Sequence, residues 1–158
     1  MLKPERTGAD RNSGILEEQA KALLSGQHDR VVNAALLSSL LYHSLDQVNW
    51  AGFYFLQGSE LIVGPFQGLP ACVSIPLGKG VCGTAAEKRC AVRVADVNDF
   101  DGHIACDAAS RSEIVLPLIK NGELIGVLDL DSPVENRFDE EDERLLLRIA
   151  EIFVNSLA

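Results

Sequence analysis

Cys106 sits in the stretch Val97 to Leu118, VNDFDGHIACDAASRSEIVLPL, an acidic, small-residue segment with no helical or strand period. A strand pattern, Glu113 to Ile119, follows at once. Loops carried on a rigid scaffold are where chemistry usually sits, so this thiol is the first candidate for nucleophilic or redox work. Three more cysteines, Cys72, Cys82 and Cys90, could partner it. Structural zinc sites draw ligands in close pairs such as C-x₂-C. Here Cys72, Cys82 and Cys106 are singly spaced and only His103 and Cys106 form such a pair, so no metal is expected. GKGVCG (78–83) lacks the order of a phosphate-binding loop. Asp129-x-Asp131 lacks the glycine and the twelfth-position glutamate of a calcium loop.

The composition narrows what such thiols can serve. A formal net charge of −9 argues against nucleic acid and anionic membrane surfaces, which are bound mainly through Lys and Arg. No apolar run approaches the roughly 18 residues of a membrane span. The start, MLKPERTGADRNSG, has no apolar stretch of signal-peptide kind, so a cytoplasmic setting is expected. There the cysteines rest as thiols and structural disulfides are not expected.

The elements that must position Cys106 read as follows. Residues 1–10 form a loosely held tail, and residues 11–158 a single domain. ILEEQAKALL from Gly14 is helical and stops at Gly26. Asp29 caps a longer helix, Arg30 to about Leu45, with Val31, Val32, Ala35, Leu36, Leu40 and Leu41 as its apolar face. Val48–Leu56 and Leu61–Phe66 form a hairpin, and Ala71–Ile75, which includes Cys72, forms a third strand. LGKGVCGTAAEKR leads through a glycine-rich turn into a short helix, and Ala91–Val94 is a fourth strand. Glu113–Ile119 and Leu124–Leu130 pair across Asn121-Gly122, a strong hairpin signal. Asp139 begins a last helix to about Leu157, with an acidic first turn that suits the helix dipole and with Leu145, Leu146, Ile149, Ile152 and Phe153 buried. About six short strands lie between helices without βαβ alternation. The fold class is α+β, an antiparallel sheet with helices packed on it.

The phrases NWAGFY (49–54), GPFQG (64–68), ACVSIPLGKGVCGTA (71–85), DGHIACDAAS (101–110), SEIVLPL (112–118) and GVLDLDS (126–132) resemble the free methionine-(R)-sulfoxide reductases, small enzymes of GAF fold. The resemblance runs from about Leu36 to the terminal helix. General GAF domains share the layout but not the cysteines at positions 72, 82 and 106. It implies reduction of free L-methionine-(R)-sulfoxide to L-methionine, with thioredoxin as reductant and no cofactor. It also implies roles: Cys106 as nucleophile, and Cys72 as the thiol that resolves its sulfenic acid into a disulfide. Cys82 lies near both as an alternative partner. The family's carboxylate cluster falls on Glu113, Asp129 and Asp131, and its aromatic pocket wall on Trp50 and Tyr54. Cys90 lies outside the phrases, and no role transfers to it. Family precedent and the amphipathic helices permit a homodimer. The alternative reading is a non-catalytic GAF module that binds a small ligand or cyclic nucleotide.

The chemistry asks for these residue types. A thiolate attacks the sulfoxide sulfur, an acid protonates the departing oxygen, and a second thiol condenses with the sulfenic acid. Asp129 and Asp131 project to one face by strand alternation, within reach of the strand that starts at Glu113. Three converging carboxylates repel one another unless one keeps a proton or a cation arrives. A protonated member can serve as general acid, and charged members can receive the amino acid's ammonium. The same acidity, with Asp107 adjacent, raises the Cys106 thiol pKa, and His103 is the nearby cation in sequence.

Overall fold

The computed structural model describes residues 9–102 and 109–158. Four helices, α1 (Ala9–Leu24), α2 (Arg30–Ser44), α3 (Gly80–Lys88) and α4 (Glu140–Ser156), accompany six strands. The strands are β1 (Trp50–Gln57), β2 (Glu60–Gly68), β3 (Ser74–Pro76), β4 (Val92–Val94), β5 (Ser112–Lys120) and β6 (Glu123–Ser132). They form one antiparallel sheet in the order β3-β2-β1-β6-β5-β4. The α+β reading is therefore correct. The Asn121-Gly122 turn has both residues at positive φ, 52° and 79°, as a two-residue hairpin turn requires.

Strand alternation divides the interior into two cores. Ala51, Phe53 and Phe55 of β1, Ile114, Leu116 and Leu118 of β5, and Leu128 and Leu130 of β6 face α1, α2 and α4. Trp50 and Tyr54, Val115 and Val127 occupy the opposite face, where Val81, Cys82, Ala85 and Ala86 of α3 cover them. The sheet residues of the first core are all apolar and anchor the sheet. The second holds the residues with chemistry.

Several sequence expectations need correction. The tail expected over residues 1–10 lies partly outside the described residues, and Ala9 and Asp10 already belong to α1. The third strand is Ser74–Pro76, so Cys72 lies in the irregular segment before it and not on a strand. On α2 the buried stripe is Asn33, Ala34, Leu37, Ser38, Leu41 and Ser44, while Val31 and Val32 are exposed. Leu41 is buried and Leu36 and Leu40 pack partly buried on the first core, but apolar periodicity centred the face too far toward Val31 and Val32 because three positions of the buried stripe, Asn33, Ser38 and Ser44, are polar. Asn33 Nδ2 donates to Gln27 O at 2.9 Å and to Ser156 Oγ at 2.8 Å. Ser38 Oγ donates to Ala34 O at 2.7 Å. A buried polar group with a partner costs little, so hydrophobicity alone does not mark the stripe.

Helix ends match expectation more closely. Asp29 accepts from Val32 N at 3.0 Å as the α2 cap. Asp139 and Asp142 form a reciprocal capping box at the start of α4, where Asp142 also pairs with Arg137 at 3.2 Å. Among the described residues no helix is long and apolar enough to cross a membrane.

Candidate active site

The site is built on β6, the strand flanked by β1 and β5. Asp129 stands opposite Gly52 on β1 and Val115 on β5, and Asp131 stands opposite Trp50 and Glu113. Residues two apart share a face, so Asp129, Asp131, Glu113, Trp50 and Tyr54 all belong to the α3 side. α3 then lowers Cys82 onto the carboxylates. Its Sγ donates to Glu113 Oε2 at 3.8 Å, and ligand atoms of Cys82, Glu113 and Asp129 lie within 4.8 Å of one another. The close approach depends on Gly83, where a Cβ would fall 2.5 Å from Pro76 O. That is the physical reason for a glycine beside Cys82 in GKGVCG.

Trp50 and Tyr54 are 2% exposed, with ring centroids 5.8 Å apart. The indole stacks on Phe66 at 5.2 Å and 16°, and its Nε1 donates to Leu69 O at 3.1 Å. Gly52 makes room for this stack: a Cβ there would meet Phe66 Cβ at 2.3 Å and Trp50 Cη2 at 2.9 Å. Phe66 and the Leu69 carbonyl were not anticipated as wall elements. GPFQG (64–68) was legible as a phrase, but only the strand register puts Phe66 opposite Gly52.

Burial and mutual charge govern the protons. Glu113 is pushed well above the ordinary glutamate range, first by burial and then by the charges of Asp129 and Asp131. Asp129 is also raised by burial, an effect opposed by hydrogen bonds from Glu113 and Cys82. Burial pushes the Cys82 thiol well up, and Asp129, Glu113 and Asp131 push it further. Tyr54 moves upward for the same reasons, burial first and Asp129 second. At neutral pH the cluster therefore presents a carboxylic acid, a thiol and a phenol as donors. Asp129 Oδ1 is buried with no hydrogen-bond partner among the described residues.

The cysteines differ in state. Cys72, half-buried in the α3-side core, is disulfide-bonded. Cys82 is free and buried, and Cys90 is free and exposed beyond the end of α3. Cys106 and His103 lie outside the described residues.

The two ends of the segment that carries them are fixed. Val97 N donates to Arg111 O at 2.8 Å, and Arg111 N donates to Ser132 O at 2.7 Å. The Arg111 guanidinium pairs with Asp96 at 3.4 Å and with Glu135. Asp96 caps the 3₁₀ turn Val97–Asp99 by accepting from Asn98 N, and that bond, with Arg111, holds its carboxyl below the usual range. The segment between Val97 and Arg111 thus leaves and rejoins the sheet at one point, two residues before Glu113. Nothing in the local sequence pattern singled out Arg111, because its partners lie 15 and 24 residues away.

Two hydrophobic cores on either side of a six-stranded antiparallel sheet, with helices on both faces, define a GAF domain, and the GAF domain family model matches residues 34–158. The free methionine-R-sulfoxide reductase of Escherichia coli is 52% identical over 134 residues, covering 85% of this chain and 81% of that one. A Staphylococcus aureus structure described as fRMsr in complex with substrate has 51% identity and a TM-score of 0.89, covering 93% of this chain and 96% of that one. The free methionine-R-sulfoxide reductase of Neisseria meningitidis, also in complex with its substrate, has 37% identity and a TM-score of 0.94, covering 99% and 94%. The chain belongs to the free methionine-R-sulfoxide reductase family of GAF-domain proteins.

Proposed function

We propose that this protein is an oxidoreductase that converts free L-methionine-(R)-sulfoxide to L-methionine. The observation that carries the reading is Glu113, buried and close to Asp129 and the Cys82 thiol so that its carboxyl is pushed toward the protonated form, under a wall of Trp50 and Tyr54. Family membership supplies the substrate class, since relatives of closely similar structure are described with their substrate.

In this reading the Cys106 thiolate attacks the sulfoxide sulfur while Glu113 donates its proton to the oxygen. The substrate sulfur leaves reduced by two electrons, and Cys106 is left as a sulfenic acid. The Cys72 thiol attacks that sulfur, a disulfide forms and water departs. Thioredoxin then returns both thiols, which suits a thiol-reducing compartment such as the cytoplasm. Cys72 in a disulfide, with Cys82 and Cys90 free, favours Cys72 over Cys82 as the resolving residue. Cys82 instead serves as a hydrogen-bond donor to Glu113. Asp131 and Asp129 receive the substrate ammonium, and Trp50 and Tyr54 pack on its methylene and methyl groups. A sulfoxide inside a polypeptide lacks that ammonium and leaves buried carboxylates unpaired, which accounts for selection of the free amino acid. The contact of α1 with α4, including Arg148 Nε to Glu17 at 2.9 Å, supports a single domain over residues 11–158.

The test is methionine quantified from the R-sulfoxide, with dithiothreitol or thioredoxin as reductant. Cys106→Ser is expected to yield no methionine even in a single turnover. Cys72→Ser yields one equivalent and then stops under thioredoxin, whereas Cys82→Ser goes on recycling. Single-turnover activity in Cys106→Ser overturns the assignment. A wild-type chain that binds the sulfoxide and returns no methionine is instead a non-catalytic GAF module.

A further inference from the structure

The buried cluster of Cys82, Glu113 and Asp129 has a second chemical capacity. One sulfur and two carboxylates converge with their ligand atoms inside 4.8 Å. A tetrahedral zinc ion holds sulfur at about 2.3 Å and oxygen at about 2.0–2.2 Å, which sets sulfur and oxygen about 3.5 Å apart. Cys82 Sγ and Glu113 Oε2 lie 3.8 Å apart, within a few tenths of an ångström of that spacing, and the Asp129 oxygen lies within 4.8 Å of both. Independently, Asp129 is only 4% exposed and its Oδ1 has no donor among the described residues. A buried carboxylate oxygen without a partner is costly, and a cation would satisfy it.

We propose that Cys82, Glu113 and Asp129 form a binding site for a thiophilic divalent cation of the zinc type, with the fourth coordination position open, and that the bound ion excludes the sulfoxide. As the ion enters, the Cys82 S–H and Glu113 O–H protons leave to solvent while one metal–sulfur and two metal–oxygen bonds form. No electrons move. The ion replaces two protons that otherwise hold the like charges apart, and a thiolate with two carboxylates goes from −3 to −1. Calcium and magnesium prefer six or more oxygen ligands, so the sulfur selects zinc and its chemical neighbours. The set differs from the close cysteine pairs of structural zinc sites, since it uses a single cysteine and two sheet carboxylates. Metal binding stands on the cluster alone; only the exclusion of sulfoxide rests on the proposed function.

The experiment uses the full chain in its oxidised state, where Cys72 is disulfide-bonded and, among the described residues, Cys82 and Cys90 are free thiols. Cobalt(II) is the spectroscopic probe and zinc chloride the competitor. One equivalent of cobalt is expected to give a thiolate-to-metal absorption in the near ultraviolet, bleached by one equivalent of zinc and steepening in affinity as pH rises. Cys90→Ser keeps the band and Cys82→Ser loses it. Asp129→Asn weakens zinc by at least the roughly 10–100-fold that loss of even an outer-shell partner costs. Free methionine-(R)-sulfoxide releases the cobalt. A band that survives Cys82→Ser, or wild-type protein that binds no cobalt, overturns the site, and sulfoxide that leaves the band untouched overturns the exclusion. Metal-free reduced protein that makes no methionine refutes the proposed function while leaving a cobalt band in place, so the two failures are distinguishable.

Discussion

Replacing Glu113 with Gln tests the electrostatic account most directly, because stability and catalysis should move in opposite directions. Carboxylate oxygens of Glu113 and Asp129 lie within 4.8 Å. At an effective dielectric of about 20, two full charges at that distance repel by about 3.5 kcal/mol. The fold avoids this by keeping Glu113 protonated, which raises its pKa in the native state. The sign follows: the stabilisation is fully present below the unfolded-state glutamate pKa and is lost as pH rises through the native one. Each pH unit between those two values removes about 1.4 kcal/mol. Gln keeps the shape and neutrality without the titration, so Glu113→Gln should gain on wild type by that slope as pH rises from the unfolded-state glutamate value toward the raised native one. The assay is urea unfolding of both oxidised proteins at several pH values. Methionine formation should fall by about 10²–10⁴, the range of general acid catalysis, or about 2.7–5.4 kcal/mol of transition-state stabilisation. Parallel stability profiles, or a variant within tenfold of wild-type kcat/KM, would refute the proton assigned to Glu113.

Two further substitutions probe how the site is positioned. Arg111→Ala keeps the backbone bonds at the segment's ends and removes only half-exposed ion pairs, worth up to about 1 kcal/mol in stability, yet those pairs are the side-chain ties that hold Asp96 and Glu135 to the segment that carries Cys106. Turnover should fall by on the order of 10–100-fold, the scale of a small misplacement of reacting groups, and urea midpoints with kcat measured side by side separate the two effects. Gly52→Ala drives a Cβ into Phe66 and Trp50 and should cost about 1–3 kcal/mol by overpacking. Trp50 is the chain's sole tryptophan, so its fluorescence reports the displaced wall directly, and KM should rise with the spectral shift.

Much of this was legible because the signals were local. Asn121-Gly122 marked the β5–β6 hairpin, but it is the register shift between Leu118 and Ile119, not visible in the sequence, that sets Glu113 opposite Asp131 on the face shared with Asp129. Asp29 and Asp139 marked helix starts through bonds to backbone three residues on. What stayed hidden depended on distant partners. The α2 face turned on Asn33 meeting Ser156, 123 residues away. Cys72 lies off the strand because only Ser74–Pro76 pairs with β2, and Arg111 acquires meaning only once Asp96 and Glu135 are beside it. Periodicity reads which way a residue points; it does not read what waits there.

The placement of the acids explains why the fold tolerates them. Apolar residues in the places of Glu113 and Asp129 would enlarge the α3-side core and remove the repulsion. The first core, on the other face of the same strands, is built that way, with Ile114, Leu128 and Leu130 as their sequence neighbours. Stability for the sheet therefore comes from the α1, α2 and α4 side, and the α3 side is free to hold groups that oppose one another. An unpaired oxygen on Asp129 and a proton forced onto Glu113 are both relieved by a ligand that brings a cation and an oxygen base. Free methionine sulfoxide carries both, its ammonium and its sulfoxide oxygen. On the proposed function the relief exists only in the complex, so it would strengthen binding at the point where the Glu113 proton is given up. On the metal-binding proposal an ion relieves the same strain without undergoing reaction, so one cluster would serve the sulfoxide and zinc in turn.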